Sequence, residues 1–289
     1  MSVAPGPTDH LVTPRPAVGV ARQSRVEPVM GTVVTLDIRA PFVSDEVIER
    51  AIGILHDIDH RFSLYRPESE LSRLAAGSVH ADDLSMDVRW ALAACDDLAR
   101  QTGGAFDARH HRPDGVADPS ALVKGWAVEE AVRELEDGGA VNLLMVAGGD
   151  LVARGEPTPG DAWQIGIRHP MFANQVAAVL ALRNGALATS GLYERGTHLW
   201  DPRTGQAAKG LKSFSVVGPD LTWADAYATA GFVMGRDGLG WVDGRPGYGA
   251  LAITNEDQVV WTSIMDRYRI GEPVNPAQFS EESHDIAVF

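Results

Sequence analysis

A single cysteine, Cys95, stands in a chain of 289 residues. It excludes an intramolecular disulfide and any metal site built from several thiolates. No stretch approaches the ~18 apolar residues of a membrane-crossing helix, so no membrane span is expected. Positive charge is short: 25 Lys and Arg stand against 39 Asp and Glu, a formal net charge of −14. A field of that sign repels phosphate backbones and anionic lipid, so no nucleic-acid partner is expected. Any phosphate ligand must be neutralised locally, by a cation or a few placed basic groups. Three motifs are missing as well. Without GxGxxG or a P-loop, neither a Rossmann nor a Walker site is supported, and without GxSxG a serine hydrolase is not.

Apolar residues make up 45% of the chain, enough for a sizeable core. Residues 1–27 carry Pro5, Pro7, Pro14 and Pro16 among polar residues and read as a flexible tail. Residues 271–289, with Pro273, Pro276 and the pair Glu281-Glu282, read as a second, acidic tail. One domain over 28–270 is expected between them. The N-terminus lacks the charged-then-apolar layout of a signal peptide, so the expected location is cytoplasmic.

Residues 29–40 alternate as a strand does. Ser44 caps a helix whose apolar stripe is Ile48, Ala51, Ile52, Leu55, Ile58 and Phe62. A second helix over 85–100 sets Cys95 on its apolar face, as a buried thiol. Asp118 and Pro119 read as the N-cap and first-turn proline of a helix over 120–136. Short strands follow at 142–147, 163–168, 176–182 and 213–217, then a helix over 222–234 and a hairpin from 251–254 and 258–262. There is no regular βαβ alternation, which indicates an α+β fold.

Within the 222–234 helix, Asp225 and Thr229 are four residues apart and share a face. Both offer oxygen, the donor that hard cations such as Mg2+ prefer, although such pairs also occur as plain helix surface or local hydrogen bonds. Gly148-Gly149-Asp150 reads as a tight turn, or as a close backbone approach to a ligand with Asp150 accepting a hydrogen bond. Asp201-Pro202-Arg203-Thr204-Gly205 has the composition of a hairpin turn. His198, just upstream, fits a structural or surface role as well as a catalytic one. His110-His111 has no third ligand placed by spacing, and reads as polar loop. Tyr65 and Phe106 lie in loop-like segments where periodicity does not force a core role.

In order along the chain stand Met30-Gly31-Thr32, Phe62-Ser63-Leu64-Tyr65, Ser69-Glu70-Leu71-Ser72 and Thr102-Gly103-Gly104-Ala105-Phe106-Asp107. Asp118 through Lys124-Gly125-Trp126, Gly148-Gly149-Asp150 and Thr189-Ser190-Gly191 come next. His198-Leu199-Trp200-Asp201-Pro202-Arg203-Thr204-Gly205 and Ala224-Asp225-Ala226-Tyr227-Ala228-Thr229 close the series. Together they resemble the ApbE family of Mg2+-dependent FAD:protein FMN transferases. Their order carries the likeness, more than any single motif.

The resemblance implies mostly antiparallel sheets with packed helices. It implies FAD as substrate, contacted by Met30, Tyr65, Ala105, Phe106 and Asp107, with Asp118 and Lys124 beside the flavin nucleotide. It implies Mg2+ on Asp225, Thr229 and the Ala121 carbonyl, His198 in proton transfer, and Lys124 as a catalytic positive charge. The partner would be an acceptor protein whose Thr or Ser hydroxyl takes up FMN as AMP leaves. Two rivals share the site: a FAD pyrophosphatase, with water as acceptor, and a FAD-binding protein without turnover. Three features depart from the family pattern. Residues 108–117 are short, so a wall of the usual pocket is expected to be missing or rebuilt. Asp118-Pro119-Ser120-Ala121 replaces Asp-Leu-Gly-Gly, and the lipoprotein leader of many members is not seen.

Overall fold

The structure, a computed structural model, describes residues 21–109, 116–191, 200–270 and 287–288. Strand β1 (Arg22–Val29) turns through Met30 and Gly31 into β2 (Thr32–Arg39). Four helices follow: α1 (Asp45–Phe62), α2 (Glu70–Ala75), α3 (Met86–Gln101) and α4 (Ser120–Asp137). Strands β3 (Asn142–Ala147), β4 (Asp150–Arg154), β5 (Trp163–His169), β6 (Phe172–Leu182) and β7 (Gly185–Gly191) come next. The chain continues as β8 (Trp200–Asp201), β9 (Gln206–Ala207), β10 (Leu211–Gly218), α5 (Leu221–Met234) and α6 (Asp237–Asp243). Then come β11 (Gly249–Thr254), β12 (Val259–Trp261), β13 (Arg269–Ile270) and β14 (Ala287–Val288).

Eight strands form one sheet in the order β1-β2-β3-β4-β7-β10-β11-β12, and every neighbouring pair is antiparallel. A smaller sheet, β13-β6-β5-β14, covers one face of it. The central strands are therefore buried on both sides. In β3, Leu143, Met145 and Ala147 face the helices, whereas Leu144 and Val146 face the small sheet. Burial on both faces replaces alternation with a continuous apolar run. Each wholly buried Leu or Met of these strands contributes roughly 1.5–3 kcal/mol by leaving water. On the helix side the strands carry small residues, Ala186, Ala188, Ala250 and Ala252, and α5 settles close against them. The α+β expectation, with mostly antiparallel sheets, is what the structure has.

Four details correct the sequence reading. β1 begins at Arg22, inside the stretch expected to be tail. It pairs with β2 from Arg22↔Arg39 to Val29↔Thr32, and the Gln23 side chain hydrogen-bonds Val43 through both backbone groups. Ladder bonds and cross-strand contacts hold this polar edge, which has no apolar alternation to announce it. At the other end, Ala287 and Val288, inside the expected acidic tail, pair with Ile165 and Gly166 of β5. Strands β4 and β7 were unread, one following directly on a glycine turn and the other rich in Gly and Ala. Finally, Pro119 itself is the N-cap of α4, and the Asp118 carboxylate accepts the Ser120 N–H at 3.1 Å from outside the helix.

Candidate active site

The apolar chain of β3 ends in Gly148 and Gly149, whose φ values of +61° and +105° turn it straight back into β4. A Cβ at Gly148 would lie 2.6 Å from Thr32 Oγ1, so a glycine there lets the β1–β2 and β3–β4 turns sit against each other. The turn delivers Asp150 to the interior, 1% exposed. One of its oxygens, Oδ1, accepts the Thr189 N–H at 2.9 Å, and the other lies 2.6 Å from Lys124 Nζ. The glycine motif is a tight turn, and the hydrogen bond that Asp150 accepts comes from the Thr189 N–H.

Lys124 is brought in by a second glycine. A Cβ on Gly125 would lie 2.4 Å from the Leu221 carbonyl oxygen, so α4 meets the first residue of α5 backbone to backbone. One turn further along α4, Glu129 accepts the Leu221 N–H at 2.7 Å and pairs with Arg154 at 2.8 Å. The contact aims Lys124 at the second turn of α5, where Asp225 Oδ2 lies 3.7 Å from Nζ. Asp225 and Thr229 are both buried, and neither is helix surface. Thr229 Oγ1 is 3.2 Å from Ser190 Oγ, and Thr189 Oγ1 is 2.8 Å from Ser215 Oγ. Two carboxylates, an ammonium and the Ser190–Thr229 hydroxyl pair thus form one largely buried polar cluster where α4, α5, β4 and β7 converge, while the Thr189–Ser215 pair lies on the opposite face of the sheet, toward the small sheet. Burying two carboxylates is tolerable only with such pairing.

The expected site residues Lys124, Asp225 and Thr229 fall in this cluster; the sequence marks Asp150 as a hydrogen-bond acceptor beside a ligand and Ser190 within a Thr-Ser-Gly motif, without setting either beside Lys124 or Thr229. The Gly-Gly-Asp and Thr-Ser-Gly motifs were the available signals. Ala121 shares the α5-facing side of α4 with Gly125, four residues on. Among the described residues no three His, Cys, Asp or Glu side chains gather as a metal site. A cation here would rest on few protein side chains and on backbone, water or substrate oxygens.

The other predicted residues surround this cluster unevenly. Met30 is half-buried at φ +53° in the β1–β2 turn. Tyr65 is 90% exposed, whereas Phe106 is 2% exposed and Ala105 is buried beside it. The two rings expected to stack or pack on FAD thus sit in different surroundings, and Phe106 is a core residue in this conformation. Its N–H donates to Thr102 Oγ1 at 3.1 Å, which folds the Gly103-Gly104 turn and drives the ring inward. Asp107 accepts the Arg109 N–H at 2.8 Å, and Arg109 pairs bidentately with Asp96. The Asp118 N–H donates to the Ala108 carbonyl at 2.8 Å.

Arg203, in the turn between β8 and β9, donates to the Val233 carbonyl at 3.3 Å, and its Cγ would be 3.4 Å from a Cβ on Gly104. The hairpin so joins the 102–107 motif to the end of α5. His198, two residues before β8, and His110-His111 lie outside the described residues. No helix among the described residues is long and apolar enough to cross a membrane.

The sequence profile of the ApbE family matches residues 30–112 and 108–252. The chain is 27% identical over 256 residues to the FAD:protein FMN transferase of Haemophilus influenzae, covering 67% of this chain and 74% of that protein. It is 32% identical over 167 residues to the protein of the same name from Escherichia coli K12, covering 54% of this chain and 48% of that one. The chain thus spans about half the length of several curated relatives that it matches. Among solved structures it is similar to the flavin transferase ApbE from Vibrio cholerae, with a TM-score of 0.76 at 22% identity over 86% of this chain and 99% of that one. An ApbE protein from Thermotoga maritima gives a TM-score of 0.75 at 22% identity, over 87% of this chain and 100% of that one.

Proposed function

Because this chain belongs to the ApbE family, we propose that it moves FMN from FAD onto a Thr or Ser hydroxyl of an acceptor protein, releasing AMP, with Mg2+ at the site. The observation that carries this reading is the buried cluster in which Lys124 Nζ lies 2.6 Å from Asp150 and 3.7 Å from Asp225. Its groups able to ligate a cation are all oxygens, the kind a hard cation takes. Its place supports the reading too, in a −14 chain that must neutralise an anionic substrate locally.

Asp225, Thr229 and the Ala121 carbonyl would hold the metal. When bound, Mg2+ supplies positive charge to the pyrophosphate oxygens. Lys124 adds a second positive charge at the same place. Met30, Tyr65 and the 105–107 segment hold FAD, with Asp118 beside the flavin nucleotide. Phe106 serves that segment by packing it, not by stacking. The acceptor oxygen bonds to the FMN-side phosphorus, and the bond from that phosphorus to the AMP phosphate oxygen breaks. His198 takes the acceptor proton, a contribution of typically ~10²–10⁴-fold for a positioned base. The remaining rate comes from holding the reactants in line and neutralising charge.

The test is to incubate the protein with FAD and Mg2+, with and without a flavin-acceptor protein. AMP that appears only with acceptor, together with flavin fixed to the acceptor, is the expected result. AMP and FMN without acceptor would make the protein a pyrophosphatase, and no AMP under either condition would leave FAD binding alone. EDTA should abolish transfer. Asp225→Asn should lower it at least ~10-fold at limiting Mg2+, and Thr229→Val less, because it removes a neutral ligand.

A further inference from the structure

We infer that Asp150 is a positioning residue that holds the Lys124 ammonium back from Asp225, and so sets how tightly the site binds a divalent cation. The inference rests on the reading of Asp225 and Thr229 as metal ligands and adds a residue that is not one of them.

Asp150 cannot turn away from Lys124. Its Oδ1 accepts the Thr189 N–H at 2.9 Å, and its backbone is set by the Gly148-Gly149 turn, which packs on Thr32. At 1% exposure no bulk water screens it. Lys124 is equally constrained at its root, since Gly125 beside it lies on the Leu221 carbonyl. Among the described residues, two buried carboxylates lie within reach of the side chain. It makes a charge-assisted contact at 2.6 Å with Asp150 and stands at 3.7 Å from Asp225. Removing the Asp150 charge removes the stronger attraction. A movement of about 1 Å, easy for a four-carbon stem, then brings the ammonium to charge-assisted distance from Asp225. There it competes with a cation for the same oxygens. Asp150 would thus support metal binding from outside the ligand set, as groups behind metal ligands commonly do.

The experiment is calorimetric titration of MgCl2, and of MnCl2 as a tighter-binding probe, into the full chain without FAD. Asp150→Asn keeps an oxygen for the Thr189 N–H and should weaken metal binding about 10-fold. Lys124→Met should tighten it. The double variant Asp150→Asn with Lys124→Met should bind metal as well as Lys124→Met does, because the competitor is gone. A purely structural role for Asp150 gives no such rescue. If Asp150→Asn binds metal like the wild type, or the double variant stays as weak as Asp150→Asn, the inference is overturned. Should Asp150→Asn not fold, Lys124→Met alone decides: unchanged or weaker metal binding overturns the inference. Asp225→Asn is the control that separates the two ideas. If it binds metal normally, the proposed metal site is wrong. If it abolishes binding while the Asp150 variants behave as wild type, only the positioning role is wrong.

Discussion

Tyr65 and Phe106 carry similar rings into opposite surroundings, 90% and 2% exposed. Sequence pattern alone treats them alike, since both lie in short segments without periodicity. What separates them is the Thr102 hydroxyl, which accepts the Phe106 N–H and folds the turn inward. The two therefore should fail differently. Phe106→Ala leaves a cavity in the main core and should cost about 3–5 kcal/mol in urea unfolding. Tyr65→Ala should leave the melting temperature unchanged and weaken FAD retention in equilibrium dialysis. A Phe106→Ala protein as stable as the wild type would contradict the core assignment. Unchanged FAD retention in Tyr65→Ala would remove Tyr65 from the binding residues. Asp225 and Thr229 were legible as a pair because helix periodicity stacks i and i+4 whatever the fold. Their burial was not, because it depends on what packs above them.

At the scale of elements, the site exists because α4 and α5 touch at Gly125 and because Glu129 caps the first N–H of α5 across the contact. The small-residue composition of α5 announced that something would come close. It did not say that the partner would be α4. Glu129 also gives the contact a pH signature. Burial pushes its carboxyl above the ordinary 4.5, against the downward pull of Arg154 and the Leu221 N–H. A carboxyl with a raised folded pKa binds its proton more tightly in the folded chain. Its contribution to stability is then fully present below pH 4.5 and is lost as pH rises through the raised value. Glu129→Gln stays neutral and should remove that slope. Thermal melts of both proteins between pH 4 and 8 should show the wild type losing ground to the variant as pH rises. A gap that widens in the opposite direction would refute the assignment.

At the scale of the molecule, the eight-stranded sheet is the middle of three layers, with helices on one face and the small sheet on the other. Cys95, on α3 within the helical layer, reports on that assembly as a whole. Its thiol is pushed up to about 12, first by burial and then by the nearby Asp96 and Asp118 carboxylates. A thiol reagent at pH 8 should leave it unmodified in the folded protein and modify it at the rate of unfolding; rapid labelling under native conditions would mean that α3 opens by itself. The chain's pattern was enough to settle what depends on near neighbours. The helix stripes, the burial of Cys95, the glycine turn before Asp150 and the hairpin turn at 201–205 all follow from local spacing and backbone preference. Composition likewise required any anion to be neutralised locally. Only the tertiary structure decided which distant pieces meet. Strand order, the pairing of β14 with β5 inside a stretch that reads as a tail, and the meeting of Lys124, Asp150 and Asp225 each join residues far apart in sequence. The last of these depends on two backbones approaching where Gly125 leaves room. That is a property of both surfaces at once, and neither segment carries it alone.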